Sequence, residues 1–525
     1  MQNFALVNPT QRKYPYNFKI IFNGAEKLVN LTIATENSQV IRQMKLEDPD
    51  SSEVKLDFED EFDDFKQIIR LFRGKSIVFN REILPFLLAI SQHLKINSLY
   101  LASLNFQKYL EEMEIQLNNS VELDQLVKLQ EILFNLSREN FEDSLQEIQK
   151  LHFFLKDTDI KTFGKMILSV CRSHPNDYDL YLDVISRLFS NKPNLIQILA
   201  SYFLSDSGKE SKFIVAKLLE RNLLSAKVFE TTPYRSTYFI HIFFKIDPFF
   251  YFNSLSSLPS DIDELAKNNW ELHKKYMYEG KNPNSYAVAI RNDDIDALQQ
   301  LSTQFVFNVN MKIPPSIYER CTIVDNSPTL IQFAAYFGAI NCFKFLLLNH
   351  ALDKESIDSL VPFAVAGGNF EIIRICHQHK GDFAGMIDIA IEYNHMLVFE
   401  WMMHTMPKHC QNIHHILLTC IQKNNMTIFR YFLEIGVGIY QKGNMPEMLL
   451  YAVSEDNLKL LQFLVDSKQI VAKPRSNDLN PLHIACQKGN YDIVEYLLSL
   501  CNDYINADVI FFLFFLIEDC REFFL

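Results

Sequence analysis

One stretch of nineteen residues constrains this chain more than any other: Asn480-Pro481-Leu482-His483-Ile484-Ala485-Cys486-Gln487-Lys488-Gly489-Asn490-Tyr491-Asp492-Ile493-Val494-Glu495-Tyr496-Leu497-Leu498. It reads as two short helices joined by a tight turn. The first carries the small residues Ala485 and Cys486, so a neighbour of the same kind can approach closely. Gly489 ends it, because the left-handed turn there disfavours a Cβ. Ile493, Val494, Leu497 and Leu498 give the second helix its apolar face. Neither helix buries that face alone, so such units must stack.

The turn position finds further copies. Asp293, Gly338, Gly368, Asn394, Asn424 and Asp456 stand where Gly489 stands, and Asn and Asp tolerate a left-handed turn best after glycine. Successive separations from Gly338 are 30, 26, 30, 32 and 33 residues. The gap from Asp293 to Gly338 is 45, which places an inserted loop around Pro314-Pro315. The first-helix alanine recurs as Ala289, Ala334, Ala364, Ala390 and Ala452. The pattern resembles ankyrin repeats, whose period is about 33. Only Asn480 departs in the clearest copy, standing where threonine is usual. The resemblance implies an α-solenoid of about seven copies over residues 282–503 whose fingers and concave inner helices bind another protein.

A chain of 525 residues exceeds one core, and about three units are expected. Phe (44) and Tyr (22) outnumber Gly (14) and Pro (18), which favours long helices over a turn-rich β protein. The net charge of −13, with Lys and Arg scattered singly, argues against nucleic-acid binding. Nine cysteines without a C-x-x-C pair read as free, mostly buried thiols of a reducing compartment. The polar stretch 1–16 reads as a tail without a signal peptide. The longest apolar run, Val509 to Ile517, is far short of the ~20 residues that span a bilayer. We therefore expect a cytoplasmic protein without membrane insertion.

Residues 17–113 read as a small α+β unit. Phe18 to Phe22 and Leu28 to Leu31 flank Asn23-Gly24 as a hairpin. Ser38 starts a short helix through Val40, Ile41 and Met44, and Glu53 to Phe58 alternates like a half-buried strand. Asp60 caps a helix with Phe62, Phe65, Ile68, Ile69 and Phe72 on its apolar face, closed by Gly74. Ile77 to Phe79 reads as a strand, Pro85 opens a helix through Leu94, and a last helix runs from Leu99 to about Met113. This order, with Leu87-Leu88-Ala89-Ile90-Ser91-Gln92-His93-Leu94-Lys95-Ile96-Asn97-Ser98-Leu99, resembles a BTB/POZ domain. The resemblance implies a homodimer or recruitment of a cullin-type ubiquitin ligase. Met44-Lys45-Leu46-Glu47 has one residue too many for the family's apolar-x-Glu cullin-contact element.

Residues 114–275 repeat apolar positions at three and four, as at Leu123, Leu126, Leu129, Leu133 and Leu136, broken near Pro175, Pro193, Gly208 and Pro233. By position this helical spacer resembles the BACK-type extension that follows BTB domains. The whole reads as mostly α, with residues 504–525 a hydrophobic tail that either caps the array or marks a truncation.

No phosphate-binding glycine loop, G-x-S-x-G, H-E-x-x-H or EF-hand pattern is present. The metal-capable groups His404, His409, Cys410, His414, His415 and Cys376, His377, His379 sit in repeat fingers and helix starts, and they read as solvent-facing histidines rather than a zinc site. No catalytic, cofactor or metal residue is assigned. The expected function is a protein–protein interaction adaptor, not an enzyme; the alternative is a structural scaffold or cortex linker without a role in degradation.

Overall fold

The computed structural model describes residues 2–4, 15–22, 25–56, 58, 65–75, 77–118, 121–151, 153–154, 156–206, 208–224, 267–316, 318–351, 357–406, 410, 412–435, 445–466 and 481–500. The turn Asn23-Gly24, the cap Asp60 with Phe62, Pro233, His409 and the run Val509 to Ile517 lie outside them. The chain divides into two compact units. One gathers Met1–Asp124, Phe429–Glu447 and Phe463–Ala472; the other gathers Gln125–Ile428, Met448–Gln462 and Lys473–Leu525.

In the first unit, β1 (Gln2–Phe4), β2 (Phe18–Phe22), β3 (Ala25–Val29), β4 (Glu53–Leu56) and β5 (Ile77–Phe79) form two small sheets. The larger has the order β3-β2-β4, with β2 antiparallel to β3 and parallel to β4. In the smaller, β1 pairs antiparallel with β5, so part of the stretch read as a tail is a strand. Where one helix was expected before β4 there are two, α1 (Leu31–Asn37) and α2 (Gln39–Glu47). The cause is Asn30, whose side-chain oxygen accepts from the Ile33 amide at 2.9 Å, so Leu31 starts a helix instead of prolonging β3. Ser38 caps α2 and donates its hydroxyl to the Leu94 carbonyl at 2.7 Å.

Then follow α3 (Phe65–Phe72), α4 (Leu84–His93) and α5 (Asn97–Asn118). Gly74 closes α3 at φ +69°. Leu87, Ile90, Leu94, Ile96 and Leu99 are fully buried in this core with Phe18, Ile20, Ile68 and Phe72. His93, by contrast, is exposed.

Helix α6 (Val121–Phe134) leads into the second unit, which holds α7 (Phe141–Lys150), α8 (Asp157–Ser173), α9 (Tyr178–Phe189), α10 (Pro193–Ser205), α11 (Lys209–Glu220) and α12 (Lys267–Glu279). Among the described residues seven helix pairs follow: α13 (Ser285–Arg291) and α14 (Ile295–Ser302), α15 (Leu330–Tyr336) and α16 (Ile340–Leu348), α17 (Ile357–Gly367) and α18 (Phe370–Gln378), α19 (Met386–Glu392) and α20 (Met396–Thr405), α21 (Ile413–Gln422) and α22 (Met426–Glu434), α23 (Met445–Ser454) and α24 (Leu458–Asp466), and α25 (Pro481–Gln487) and α26 (Tyr491–Ser499). Ala289, Ala334, Ala364, Ala390, Ala452 and Ala485 are all buried, as close stacking requires.

Candidate interaction surface

Each of the seven turn residues found in the sequence has positive φ: Asp293 51°, Gly338 64°, Gly368 69°, Asn394 54°, Asn424 55°, Asp456 53° and Gly489 66°. Where an asparagine follows the turn it does two jobs that the sequence reading missed. Asn425 accepts the Ile428 amide on its side-chain oxygen at 3.0 Å, which caps α22. Its Nδ2 donates back one repeat, to Asn394 Oδ1 and the Ile391 carbonyl, both at 2.9 Å. Asn457 donates likewise to Asn424 Oδ1 at 3.2 Å, Asn490 to Asp456 Oδ1 at 2.8 Å and Asn369 to the Gly338 carbonyl at 3.3 Å. His395 replaces the asparagine once, with Nε2 2.8 Å from the Ala366 carbonyl. In the first junction Asn341 donates to Asp293 Oδ2 at 2.8 Å. A ladder thus links every neighbouring pair of turns. Its trace in the sequence is Asn or His directly after five of the seven turn residues; Ala339 follows Gly338, and Asn341 makes the link there.

The same edge of the array is occupied by the chain itself. Helix α8 is buried almost all round, from Thr158 to Cys171, which a helix packed on one side only would not be. It contacts the repeats where first helices pass into second helices. Thr158 Oγ1 donates to Asp492 at 3.2 Å. Lys161 pairs with Asp456 at 3.3 Å and Lys165 with Glu455 at 2.6 Å. Lys459 reaches Asp159 at 3.8 Å, Arg172 reaches Glu392 at 3.7 Å, and Ser173 donates to the Tyr393 carbonyl at 2.5 Å. Tyr336 closes the row by donating to the Arg172 carbonyl at 3.3 Å. From α6, Gln130 accepts the Met426 amide at 2.7 Å. Helix α8 therefore lies along the hairpin tips from the last repeat to the second, with α6 against the fifth.

The inserted loop after α14 is drawn into this junction. Glu210 accepts the Thr322 amide at 2.9 Å and its hydroxyl at 2.6 Å, and Lys209 pairs with Asp325 at 2.5 Å. Arg320 donates to the Pro175 carbonyl and lies over the Tyr178 ring, 4.2 Å from its centroid.

The described connection after α14 leaves the first pair at the end away from its turn. There Phe305 is fully exposed and Val306 73% exposed, and Leu348 at the end of α16 is 79% exposed. On the inner helices of the fourth and fifth repeats, His415 sits 3.0 Å from Asp388, and Lys423 pairs with Glu392 at 2.7 Å.

The metal-capable side chains do not converge. Among the described residues no three of His, Cys, Asp and Glu stand close enough to share an ion. His404, His377, His379 and His415 are exposed, while Cys376 and Cys410 are buried. Burial pushes the thiols of Cys321, Cys342 and Cys376 up to about 12, and that of Cys410 to about 11, so they are protonated and unreactive at neutral pH. Among the described residues no helix is long and apolar enough to cross a membrane.

The family model of ankyrin repeats (three copies) matches residues 416–509. No curated protein matches the chain. Among solved structures, the crystal structure of the human ASB11 ankyrin repeat domain is similar at 18% identity, over 41% of this chain and 96% of that one, with a TM-score of 0.29. The C-terminal part of this chain is built of ankyrin repeats.

Proposed function

We propose that this protein is a cytoplasmic adaptor without catalytic activity, whose repeats hold a protein target by their fingers and inner helices. The observation that carries this reading is the division of the array's edges. The hairpin tips are covered by α8, whereas the first finger presents Phe305 and Val306 to solvent. An exposed aromatic ring with Val306 next to it suits recognition of a folded surface. The test is affinity purification of the full chain beside a Phe305→Asp/Val306→Asp variant. A target that is lost with the variant supports the reading; an identical set of co-purified proteins sinks it.

The first unit is assigned a BTB-like role in dimerisation or cullin recruitment. Support comes from the parallel β2/β4 pair beside an antiparallel hairpin and from the buried Leu87-to-Leu99 pattern. Co-purification with a cullin, and accumulation of the target when the protein is depleted, are the expected results. A monomer that binds no cullin, with a target that only changes place, would leave the scaffold reading.

A further inference from the structure

The second unit contains a polar cleft of about 840 Å³ that the repeats' finger surface does not use. One wall is a line along α8, Asp157, Lys161 and Lys165, at spacing of four. The facing wall is a line along α10 that includes Asn194, Gln197 and Ser201, and the tip of the sixth repeat closes one side with Glu455 and Asp456. The helices approach closely because Gly164 has no side chain: a Cβ there would meet Tyr202 Cδ1 at 2.7 Å.

The chemistry of the walls selects among ligands. Among the described residues Ile198 is the one aliphatic side chain lining the cleft, with the Tyr202 ring beside it, so an apolar ligand has little aliphatic surface to bury against. Lys161, Lys165 and Lys488 reach it, but Lys161 and Lys165 are opposed by Asp456 and Glu455, and Lys488 donates to the Ser454 carbonyl. Asp157 and Asp206 add two further carboxylates, so a free anion meets more negative than positive charge. Asn194, Gln197 and Asp157 are exposed, and among the described residues their side chains bond to no other protein group, so they are open to a ligand. Carboxamides offer a donor and an acceptor side by side, which is what a peptide backbone requires.

The walls also set a length. Asp157 to Lys165 spans about 12 Å and Asn194 to Ser205 about 16 Å at ~1.5 Å per residue. An extended chain rises ~3.3 Å per residue, so about four or five residues fit. We propose that this cleft binds an extended peptide segment of that length, its backbone held by Asn194 and Gln197 and a Lys or Arg side chain held by Asp157. It is a second protein-recognition site, independent of the fingers.

The experiment uses the full chain against a phage-displayed library of random heptapeptides, the best of which is made synthetically with a fluorescent label. Gln197→Trp fills the cleft from an exposed position and should leave thermal unfolding unchanged. It should weaken the peptide about tenfold or more, as loss of a central contact does. Asp157→Asn should remove the preference for a basic residue, and Phe305→Asp should change nothing. The proposal is overturned if no peptide is enriched, if Gln197→Trp binds the peptide as wild type does, or if inorganic phosphate displaces it.

Discussion

Arg291 and Glu319 meet at 2.5 Å with side chains only 3% and 1% exposed, which ties the first helix of the first repeat to the inserted loop. The guanidinium also lies 3.9 Å from the Phe337 ring centroid. Removing one member of a buried pair strands the other charge. Glu319→Ala should therefore cost about 3–5 kcal/mol in urea unfolding, while Arg291→Met with Glu319→Leu should cost much less than the sum of the single changes.

The asparagine ladder makes a sharper distinction. Asn425→Asp keeps the acceptor that caps α22 and loses the donor to Asn394; it also places a carboxylate in a fully buried site. It should destabilise the protein by more than Asn425→Ser, which keeps a cap and a donor. We expect a difference of about 1–3 kcal/mol by chemical denaturation.

Two turn glycines should respond unequally. At Gly368, φ is +69° and a Cβ would lie 2.6 Å from the His395 ring; at Gly489, φ is +66° with nothing within 4 Å. Gly489→Ala should cost only the left-handed penalty of about 1–2 kcal/mol, and Gly489→Asn less. Gly368→Ala should cost clearly more, because the ring it displaces bonds the Ala366 carbonyl.

Acid should weaken the second unit. Burial holds both His395 and His174 below the ordinary histidine value; the Ala366 carbonyl opposes this at His395, and Asp177 opposes it at His174. The folded form thus binds fewer protons than the unfolded form. Stability is full above the unfolded value near 6.5 and falls as pH drops below it. Urea midpoints from pH 8 to 5 should decline, and His395→Asn, which keeps the ladder donor, should flatten the decline.

The repeats without their helical cover should fold poorly. Residues 280–503 alone would expose Tyr336, Tyr393, Arg320 and the partners of α8. We expect broad, uncooperative unfolding from that fragment and a sharper transition from the full chain, read by circular dichroism.

The repeats could be read from sequence because they are local. Turn residues recurring 26 to 33 apart after Gly338, small residues in first helices and apolar faces in second helices are set within one hairpin. The strands at Phe18–Phe22 and Ile77–Phe79 and the Gly74 stop follow from equally local rules. The extra helix at Leu31–Asn37 was missed because Asn30 caps it through a single hydrogen bond that composition does not reveal.

What the sequence by itself determined is the period, the seven left-handed turns and the sites of the small buried residues, since each depends on backbone sterics within a few residues. Only the tertiary structure decided which edge of the array stays open. Lys161, Lys165 and Arg172 look like ordinary solvated charges along α8. Their partners Asp456, Glu455 and Glu392 lie more than two hundred residues away, and no local rule of spacing connects them.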